Sequence, residues 1–355
     1  MSGAGAARFS VQQGQSEPGA DSAERRVLLR CLEPIAELLA APELTEIAIN
    51  RPGEVFTESP RGWTRHERSG LEFPQLMNLA TAAAAFTRQD IATDQPIVST
   101  VLPFGERCQI VAPPAVPART VSLTIRKVAP LTMTLDDFER RSLFADVRPA
   151  NDSLSADEEE LIRLKEAGQW RAFLERAVAS RRNIVISGAT GSGKTTLAKG
   201  LVALIPGHER LLTIEDTAEL SVPQPNHVRL LYAKDGGGVA KIGPRELLES
   251  ALRMRPDRIL LQELRDGTAF YYLRNVNSGH PGSITTVHAD SARLAFEQLT
   301  LLVKESTEGR ELARDDIRRL LHLTVDVVVQ MSRRDGRYRI TEIYYDPEAK
   351  RRNGF

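Results

Sequence analysis

Cysteine is scarce in this sequence of 355 residues, which contains only Cys31 and Cys108. The two residues have neither the spacing of a metal site nor the number needed for a disulfide framework, so they suit a reducing compartment such as the cytoplasm. A net charge is also absent, because 47 basic side chains balance 47 acidic ones. The chain as a whole therefore presents no basic field that would attract nucleic acid, and we expect no direct binding to it.

Long hydrophobic runs are missing as well. The longest run of small apolar residues is LATAAAA, which begins at Leu79 and is far shorter than the roughly 20 residues that a membrane-spanning helix needs. Residues 1–24 mix glycine, serine, glutamine and acidic residues without the apolar segment of a signal peptide, and this composition predicts a disordered tail. Any contact with a membrane is therefore expected to be peripheral or through a partner.

What the sequence does contain is two halves with different patterns. Residues 25–133 begin with helical apolar spacing from Arg25 to Leu39 and continue with short strand-like runs, which predicts an α+β domain built on an antiparallel sheet. Residues 134–160 concentrate linker residues and negative charge, and Ser155 with Glu158 forms a capping-box pattern that opens a helix running toward Val178. In residues 161–355, short apolar runs alternate with helical segments, which is typical of a mainly parallel α/β sheet.

The most specific motif is GATGSGKT, which lies between the apolar run NIVIS and a helical stretch. It matches the phosphate-binding loop pattern at every position, and its glycines let successive backbone N–H groups turn toward phosphate at a helix N-terminus. Lys194 is expected on the β- and γ-phosphates of ATP, and Thr195 on Mg²⁺. The loop residues predicted to bind nucleotide are Gly188, Ala189, Thr190, Gly191, Ser192, Gly193, Lys194, Thr195 and Thr196.

Hydrolysis also needs groups that orient water and stabilise charge, and acidic residues after two apolar runs are candidates. Glu215 and Asp216 end the strand-like run in TIEDTAEL, where open α/β sheets present ligand-facing residues. Paired acids at a strand end also occur as a helix cap or a solvated turn. Glu263 follows the buried run RILL at the position of a Walker B acid, with Gln262 before it in place of the usual aspartate.

Two histidines follow in GHPGSITTVHAD. His288 comes after an apolar strand-like run and should emerge at its end, which favours a functional role. His280 lies in a Gly/Pro turn, where a structural role is as plausible as a functional one.

Taken in order, GATGSGKTT, TIEDTAEL, RMRPDRILLQELRD and NSGHPGSITTVHADS resemble the Walker A, Asp box, Walker B and His box of the secretion superfamily of ring ATPases. The segment HVRLLYAKDGGGVAKIGPRELLESALRMRPDRILL further resembles the VirB-class traffic ATPases of type IV secretion and conjugation systems. The resemblance implies an α/β protein with an N-terminal α+β domain and a C-terminal RecA-like P-loop NTPase domain. It also implies a homohexameric ring that hydrolyses ATP with Mg²⁺, with the nucleotide between the two domains.

The resemblance implies roles for residues that match the family's motifs. Glu215 would orient or activate water, Glu263 would be the Walker B acid, and His288 would sense the γ-phosphate. Two positions depart from the family pattern, because Gln262 and Asp290 replace a common glycine and a common asparagine. Neither departure removes a group that hydrolysis requires.

The resemblance also implies contacts from outside the second domain. Arginines of the first domain clamp nucleotide in this family, and the candidates here are Arg107, Arg119 and Arg126. The partners implied are inner-membrane components of a secretion complex, including other secretion ATPases and the coupling protein. The location implied is the cytoplasm, with peripheral attachment to the inner membrane.

Three other functions remain open from the residues alone. A type II secretion or type IV pilus motor is the nearest, since two cysteines exclude the four-cysteine zinc module of many extension motors but not the retraction motors that lack it. A nucleotide-gated assembly scaffold would bind ATP without needing its turnover. A nucleic-acid translocase is disfavoured by the neutral charge of the chain.

Overall fold

A computed structural model of the protein describes residues 22–128, 133–147, 153–234 and 237–352. Residues 1–21 of the predicted tail lie outside this part of the chain. Ser22 accepts a hydrogen bond from the Arg25 N–H and caps the first helix, α1 (Ala23–Leu32), so the last residues assigned to the tail are helical. No helix among the described residues is both long enough and apolar enough to cross a membrane.

The N-terminal domain is an antiparallel sheet of six strands with helices beside it, which confirms the predicted α+β fold. A 3-10 turn at Glu33–Ile35, which contains Pro34, separates α1 from α2 (Ala36–Ala40), because proline cannot continue the hydrogen bonds of a helix. Helix α3 (Phe73–Phe86) packs against α1. The strands are β1 (Glu46–Ile49), β2 (Glu54–Ser59), β3 (Gly62–Glu67), β4 (Ile97–Val101), β5 (Arg107–Val111) and β6 (Ser122–Arg126), in the spatial order β3-β2-β1-β6-β5-β4.

Three helices lead from this sheet to the second domain: α4 (Leu135–Arg140), α5 (Ala156–Glu166) and α6 (Trp170–Ala179). Ser155 and Glu158 form the predicted capping box at the start of α5. Gly168, with φ of +65°, turns the chain between α5 and α6, so a run that the sequence reads as one helix is two. Because α5 packs on α6, we propose that the linker ends before Ser155 and not at residue 160.

The C-terminal domain contains the predicted, mainly parallel sheet. Its strands are β7 (Ile184–Gly188), β8 (Leu211–Glu215), β9 (His227–Leu231), β10 (Arg258–Leu261), β11 (Ile284–Val287), β12 (Val327–Arg334) and β13 (Arg337–Tyr345). Its helices are α7 (Lys194–Ala203), α8 (Pro244–Ala251), α9 (Thr268–Val276), α10 (Ala292–Glu305), α11 (Arg314–Thr324) and α12 (Pro347–Arg352). The strands form the orders β10-β8-β9 and β11-β7-β12-β13, and a bridge between Glu263 and Thr286 joins the two groups.

The antiparallel hairpin of β12 and β13 is the part of this sheet that the sequence analysis did not predict. Asp335 and Gly336 at its tip have φ of +51° and +74°, the geometry of a two-residue hairpin turn for which Asp-Gly is a strong signal. Strand β12 pairs in parallel with β7. The hairpin therefore extends the sheet on the side of β7 opposite β11.

The two domains of the chain share a buried interface around Arg210. This side chain is fully buried, and its guanidinium donates to Asn50 Oδ1 (2.7 Å) and Thr124 Oγ1 (3.2 Å) of the first domain and to Met254 O (2.9 Å) of the second. Burial lowers the pKa of Arg210 to about 10, so the group remains charged near neutral pH. Because Arg210 directly precedes β8, the first domain is tied to the strand that ends at Glu215.

Candidate nucleotide-binding site

The phosphate loop connects β7 to α7 and has the backbone geometry of an anion cradle. Gly191 and Gly193 have φ of +72° and +94°, a region that glycine occupies without strain. A β-carbon on Gly188 would lie 2.5 Å from both the Met331 carbonyl oxygen and Ser192 Oγ, so no larger residue fits there. The loop leads directly into the N-terminus of α7, where free N–H groups favour bound anions.

Lys194 is the first residue of α7, and its side chain folds back over the loop. Its Nζ donates to Gly188 O (2.8 Å) and Ala189 O (3.0 Å) and lies 3.4 Å from His288 Nδ1. Burial lowers the pKa of the ammonium group, and the Glu263 carboxylate opposes that shift. Phosphate oxygens carry full negative charge, so they can replace the two carbonyl partners with stronger, charge-assisted bonds.

A cavity of about 400 Å³ opens above the loop. It brings together the predicted loop residues 190–196 with Glu263 and His288. Ser192 Oγ is buried without a hydrogen-bond partner, and an unsatisfied hydroxyl in a loop of this kind fits a phosphate oxygen. The lining residues that were not among the predicted site residues are Glu219, Gln262, Thr286 and Tyr338.

Glu263 and His288 form a close carboxylate–imidazole pair at the edge of this cavity. His288 Nε2 lies 2.8 Å from Glu263 Oε1, while Lys194 approaches the other ring nitrogen. Because an ammonium group can only donate, Nδ1 is the acceptor in the contact with Lys194. Arg265 Nη2 lies 3.5 Å from Glu263 Oε2 and also pairs with Asp216. The Glu263 carboxylate is thus positioned at the cavity, where it can accept a proton from water.

Glu215, predicted as a catalytic residue, does not line the cavity. Its fully buried carboxylate accepts hydrogen bonds from Thr213 Oγ1 (2.6 Å) and Arg229 Nε (2.9 Å). The backbone N–H groups of Glu219 and Leu220 donate to its other oxygen at 2.9 and 3.0 Å. These bonds hold the turn after β8 in a shape that brings Glu219 to the cavity. Sequence reasoning missed Glu219, although it is the second glutamate of the same TIEDTAEL motif.

Two other residues noted in the sequence have defined surroundings. His280 forms a hydrogen bond with the backbone of Pro256, and burial lowers the pKa of its imidazole. It does not line the phosphate-loop cavity, which fits the structural alternative. Gln262 does line the cavity, and its Oε1 is buried without a partner, so a polar group beside Glu263 is available to a ligand.

The arginines predicted to clamp nucleotide do not line the phosphate-loop cavity of their own chain. Arg107 and Arg126 line a second cavity, of about 470 Å³, together with Arg253 of the C-terminal domain. They lie there because β5 and β6 face the end of α8 and not the phosphate loop. Arg126 Nε donates to Glu46 Oε1 at 2.5 Å. Arg119 is exposed in the loop before β6, with φ of +63°.

Comparison with known sequences identifies one family. The family model described as type II/IV secretion system protein matches residues 32–336. The type IV secretion system protein VirB11 of Bartonella henselae is 53% identical over 340 residues, which cover 93% of this chain and 95% of that protein. VirB11 of Brucella suis is 48% identical over 90% of each chain. Both relatives are named as type IV secretion system proteins. This favours the type IV secretion ATPases over the type II secretion and pilus motors.

Comparison with solved structures agrees with the sequences. The crystal structure of the VirB11 ATPase from the Brucella suis type IV secretion system, in complex with sulphate, matches with a TM-score of 0.85 and 47% sequence identity. The match covers 92% of this chain and 99% of that chain. The chain belongs to the type II/IV secretion system protein family, and within it to the VirB11 ATPases of type IV secretion.

Proposed function

We propose that the chain is a ring motor that hydrolyses ATP and uses the released energy to power export by a type IV secretion system. The observation that carries this proposal is the convergence of Lys194, Glu263 and His288 on one cavity above an intact phosphate loop. A scaffold that only bound nucleotide would need the loop and the lysine, but no carboxylate–imidazole pair beside them. Loss of the γ-phosphate would remove contacts that favour one domain arrangement, and repeated opening and closing would be the mechanical output.

The chain's own groups divide the work of hydrolysis. Lys194 would exchange its two carbonyl partners for oxygens of the β- and γ-phosphates. Glu263 would accept the proton of the attacking water, and His288 would hold that carboxylate in place. Thr195 lines the cavity next to Lys194 and would hold Mg²⁺, which neutralises charge on the phosphates when bound. The unpaired hydroxyl of Ser192 would donate to a phosphate oxygen.

The two glutamates of the TIEDTAEL motif should respond differently to replacement by glutamine. Glu219→Gln removes an exposed charge at the cavity, so we expect ATP turnover to fall by about tenfold or more with unchanged thermal stability. Glu215→Gln leaves Arg229 without its buried carboxylate, so we expect the free energy of unfolding to fall by about 3 kcal/mol. Phosphate release and denaturant unfolding measure both effects. If Glu215→Gln has wild-type stability but has lost ATP turnover, then Glu215 and not Glu219 is the catalytic glutamate.

We further propose that the chain works as a homohexamer in which the first-domain arginines act on the nucleotide of a neighbouring chain. Arg107 and Arg126 lie directly opposite each other on β5 and β6, and like charges in such a pair destabilise a sheet. Glu46 compensates Arg126, while Arg107 has no carboxylate partner among the described residues. A head-to-tail ring contact can bring this pair to the next chain's phosphate loop. Nucleotide phosphates would then supply the missing negative charge.

Rings assembled from two inactive variants test this sharing. The Lys194→Ala chain and the chain with both Arg107→Ala and Arg126→Ala should each fail to turn over ATP. Coexpressed, they should recover roughly a quarter of wild-type turnover, because about one junction in four of a random ring joins an intact loop to an intact arginine pair. Arg171→Ala, at an exposed arginine of α6, is the matched control and should be active alone. An inactive mixture of normally assembled rings would rule out a shared site.

The proposal places the ring in the cytoplasm, attached peripherally to the inner membrane through other components of the secretion complex. The partners that the VirB-class resemblance implies are other secretion ATPases and the coupling protein. A nucleic-acid translocase has no support from the balanced charge of the chain.

A further inference from the structure

The phosphate loop has two sides, and the hydrolytic groups occupy one of them. Strand β11 pairs with β7 on that side and leads to His288, and Glu263 bridges to the same strand. On the other side β7 pairs with β12, which in turn pairs with β13. A nucleotide whose γ-phosphate lies at Glu263 and His288 has its remaining phosphates along the loop. Its base must then lie toward the β12–β13 hairpin.

Tyr338 lies on the hairpin side of the cavity. It belongs to β13, opposite Arg333 of β12, and it is 57% exposed although it lines the phosphate-loop cavity. A β-carbon on Gly193 would lie 3.0 Å from Cδ1 of the Tyr338 ring, so the ring is packed against the loop just before α7. The guanidinium carbon of Arg333 lies 5.8 Å from the ring centroid, which is a cation–π contact.

Core packing does not explain this aromatic ring, because residues 333–340 are all exposed. An aromatic face beside a phosphate-binding loop can instead bind a flat nucleobase by stacking. A guanidinium next to the ring limits its motion and adds a second planar group. We propose that Tyr338, supported by Arg333, is the stacking platform for the base of the bound nucleotide, an inference that rests on the proposed ATPase function.

The chemistry of the platform defines the ligand that it selects. Stacking depends on ring area and not on the hydrogen-bonding edge of the base, so every base can bind to some extent. Adenine and guanine triphosphates should therefore gain similarly from Tyr338, and pyrimidine triphosphates should gain less. The phenolic hydroxyl has no part in stacking, so phenylalanine can replace the tyrosine.

Binding of a ligand with a base and of one without a base tests the platform in the full-length chain. We would titrate ATP and inorganic tripolyphosphate into wild type, Tyr338→Ala, Tyr338→Phe and Lys194→Ala. Tyr338→Ala should weaken ATP binding roughly tenfold and leave tripolyphosphate binding within about twofold. Tyr338→Phe should bind both ligands like wild type. Lys194→Ala should lose affinity for both, because the loop holds the phosphates.

Each other outcome overturns the inference in a recognisable way. Equal weakening of both ligands by Tyr338→Ala would mean that the ring only shapes the loop through its packing on Gly193. Unchanged ATP binding in Tyr338→Ala would mean that the base lies elsewhere. If Lys194→Ala still loses both ligands in these two cases, the proposed nucleotide site stands and only the platform fails. Wild type that binds neither ligand would overturn the nucleotide site and the platform together.

Discussion

Lys194→Ala is expected to abolish measurable ATP turnover and to leave the fold intact. The ammonium group is the positive charge at the centre of the phosphate loop, and removing one such donor from a developing anion lowers rates by about 10² to 10³. The free protein should lose little stability. Burial lowers the pKa of Lys194 because it destabilises the charged ammonium group. This cost offsets the stabilisation from the hydrogen bonds to Gly188 O and Ala189 O. Phosphate release at saturating ATP and thermal unfolding measure the two effects.

Lys199→Ala is the matched control for this variant. Lys199 lies on the same helix, α7, and is exposed, so the change removes the same charge without touching the cavity. It should hydrolyse ATP at the wild-type rate. Near-wild-type hydrolysis by a folded Lys194→Ala chain would show that this loop is not the catalytic cradle.

Glu263→Gln is expected to keep nucleotide binding and to lose most hydrolysis. The amide preserves the size of the side chain and keeps an oxygen near His288 Nε2, which lies 2.8 Å from Glu263 Oε1 in the wild type. It cannot accept a proton from water, and loss of such a base lowers turnover by about 10² to 10⁴. Single-turnover hydrolysis and equilibrium titration of ATP separate the chemical step from binding.

An exposed glutamate outside the site provides the control for the Glu263 variant. Glu166→Gln, at the end of α5, removes the same charge and should change neither binding nor turnover. If Glu263→Gln instead fails to bind ATP while Glu166→Gln binds normally, Glu263 organises the metal or the loop and is not the group that acts on water.

Much of the fold was predictable because its signals are local. The phosphate loop is one continuous motif between an apolar strand and a helix, and the capping box at Ser155 is set by residues three positions apart. Pro34 and Gly168 divided helices where apolar spacing alone suggested continuity, because their backbone preferences interrupt a helix. The β12–β13 hairpin was missed although its Asp-Gly turn was visible. The apolar alternation of its second strand is interrupted at Thr341 and Glu342, where the pairing register shifts.

The site was only partly predictable because its remaining parts depend on side-chain direction and on neighbouring elements. Glu263 and His288 each come shortly after a buried strand, so the sequence indicated both. Glu215 also ends a strand, but its bonds to the following turn keep it buried and bring Glu219 to the cavity instead. No pattern within one segment reports which of two glutamates a turn exposes. Tyr338 reaches the loop through a strand order that only the folded sheet establishes.

The position of the first-domain arginines relative to the nucleotide was also not predictable, because it depends on how the domains are arranged. Arg107 and Arg126 were expected at the nucleotide, yet within one chain they line a separate cavity at the interface. The sequence around each arginine indicates which strand it occupies. It does not indicate whether that strand faces the phosphate loop of the same chain or that of a neighbouring chain.

Phosphate release, measured together with ring assembly in wild type and Glu263→Gln, tests most directly the central claim that this chain hydrolyses ATP at the cavity above residues 188–196. Wild type should assemble and release phosphate continuously when ATP and Mg²⁺ are supplied. Glu263→Gln should assemble with ATP and release almost none. Wild-type rings that form with ATP but release no more phosphate than Glu263→Gln rings would contradict the claim and identify the chain as a nucleotide-gated scaffold.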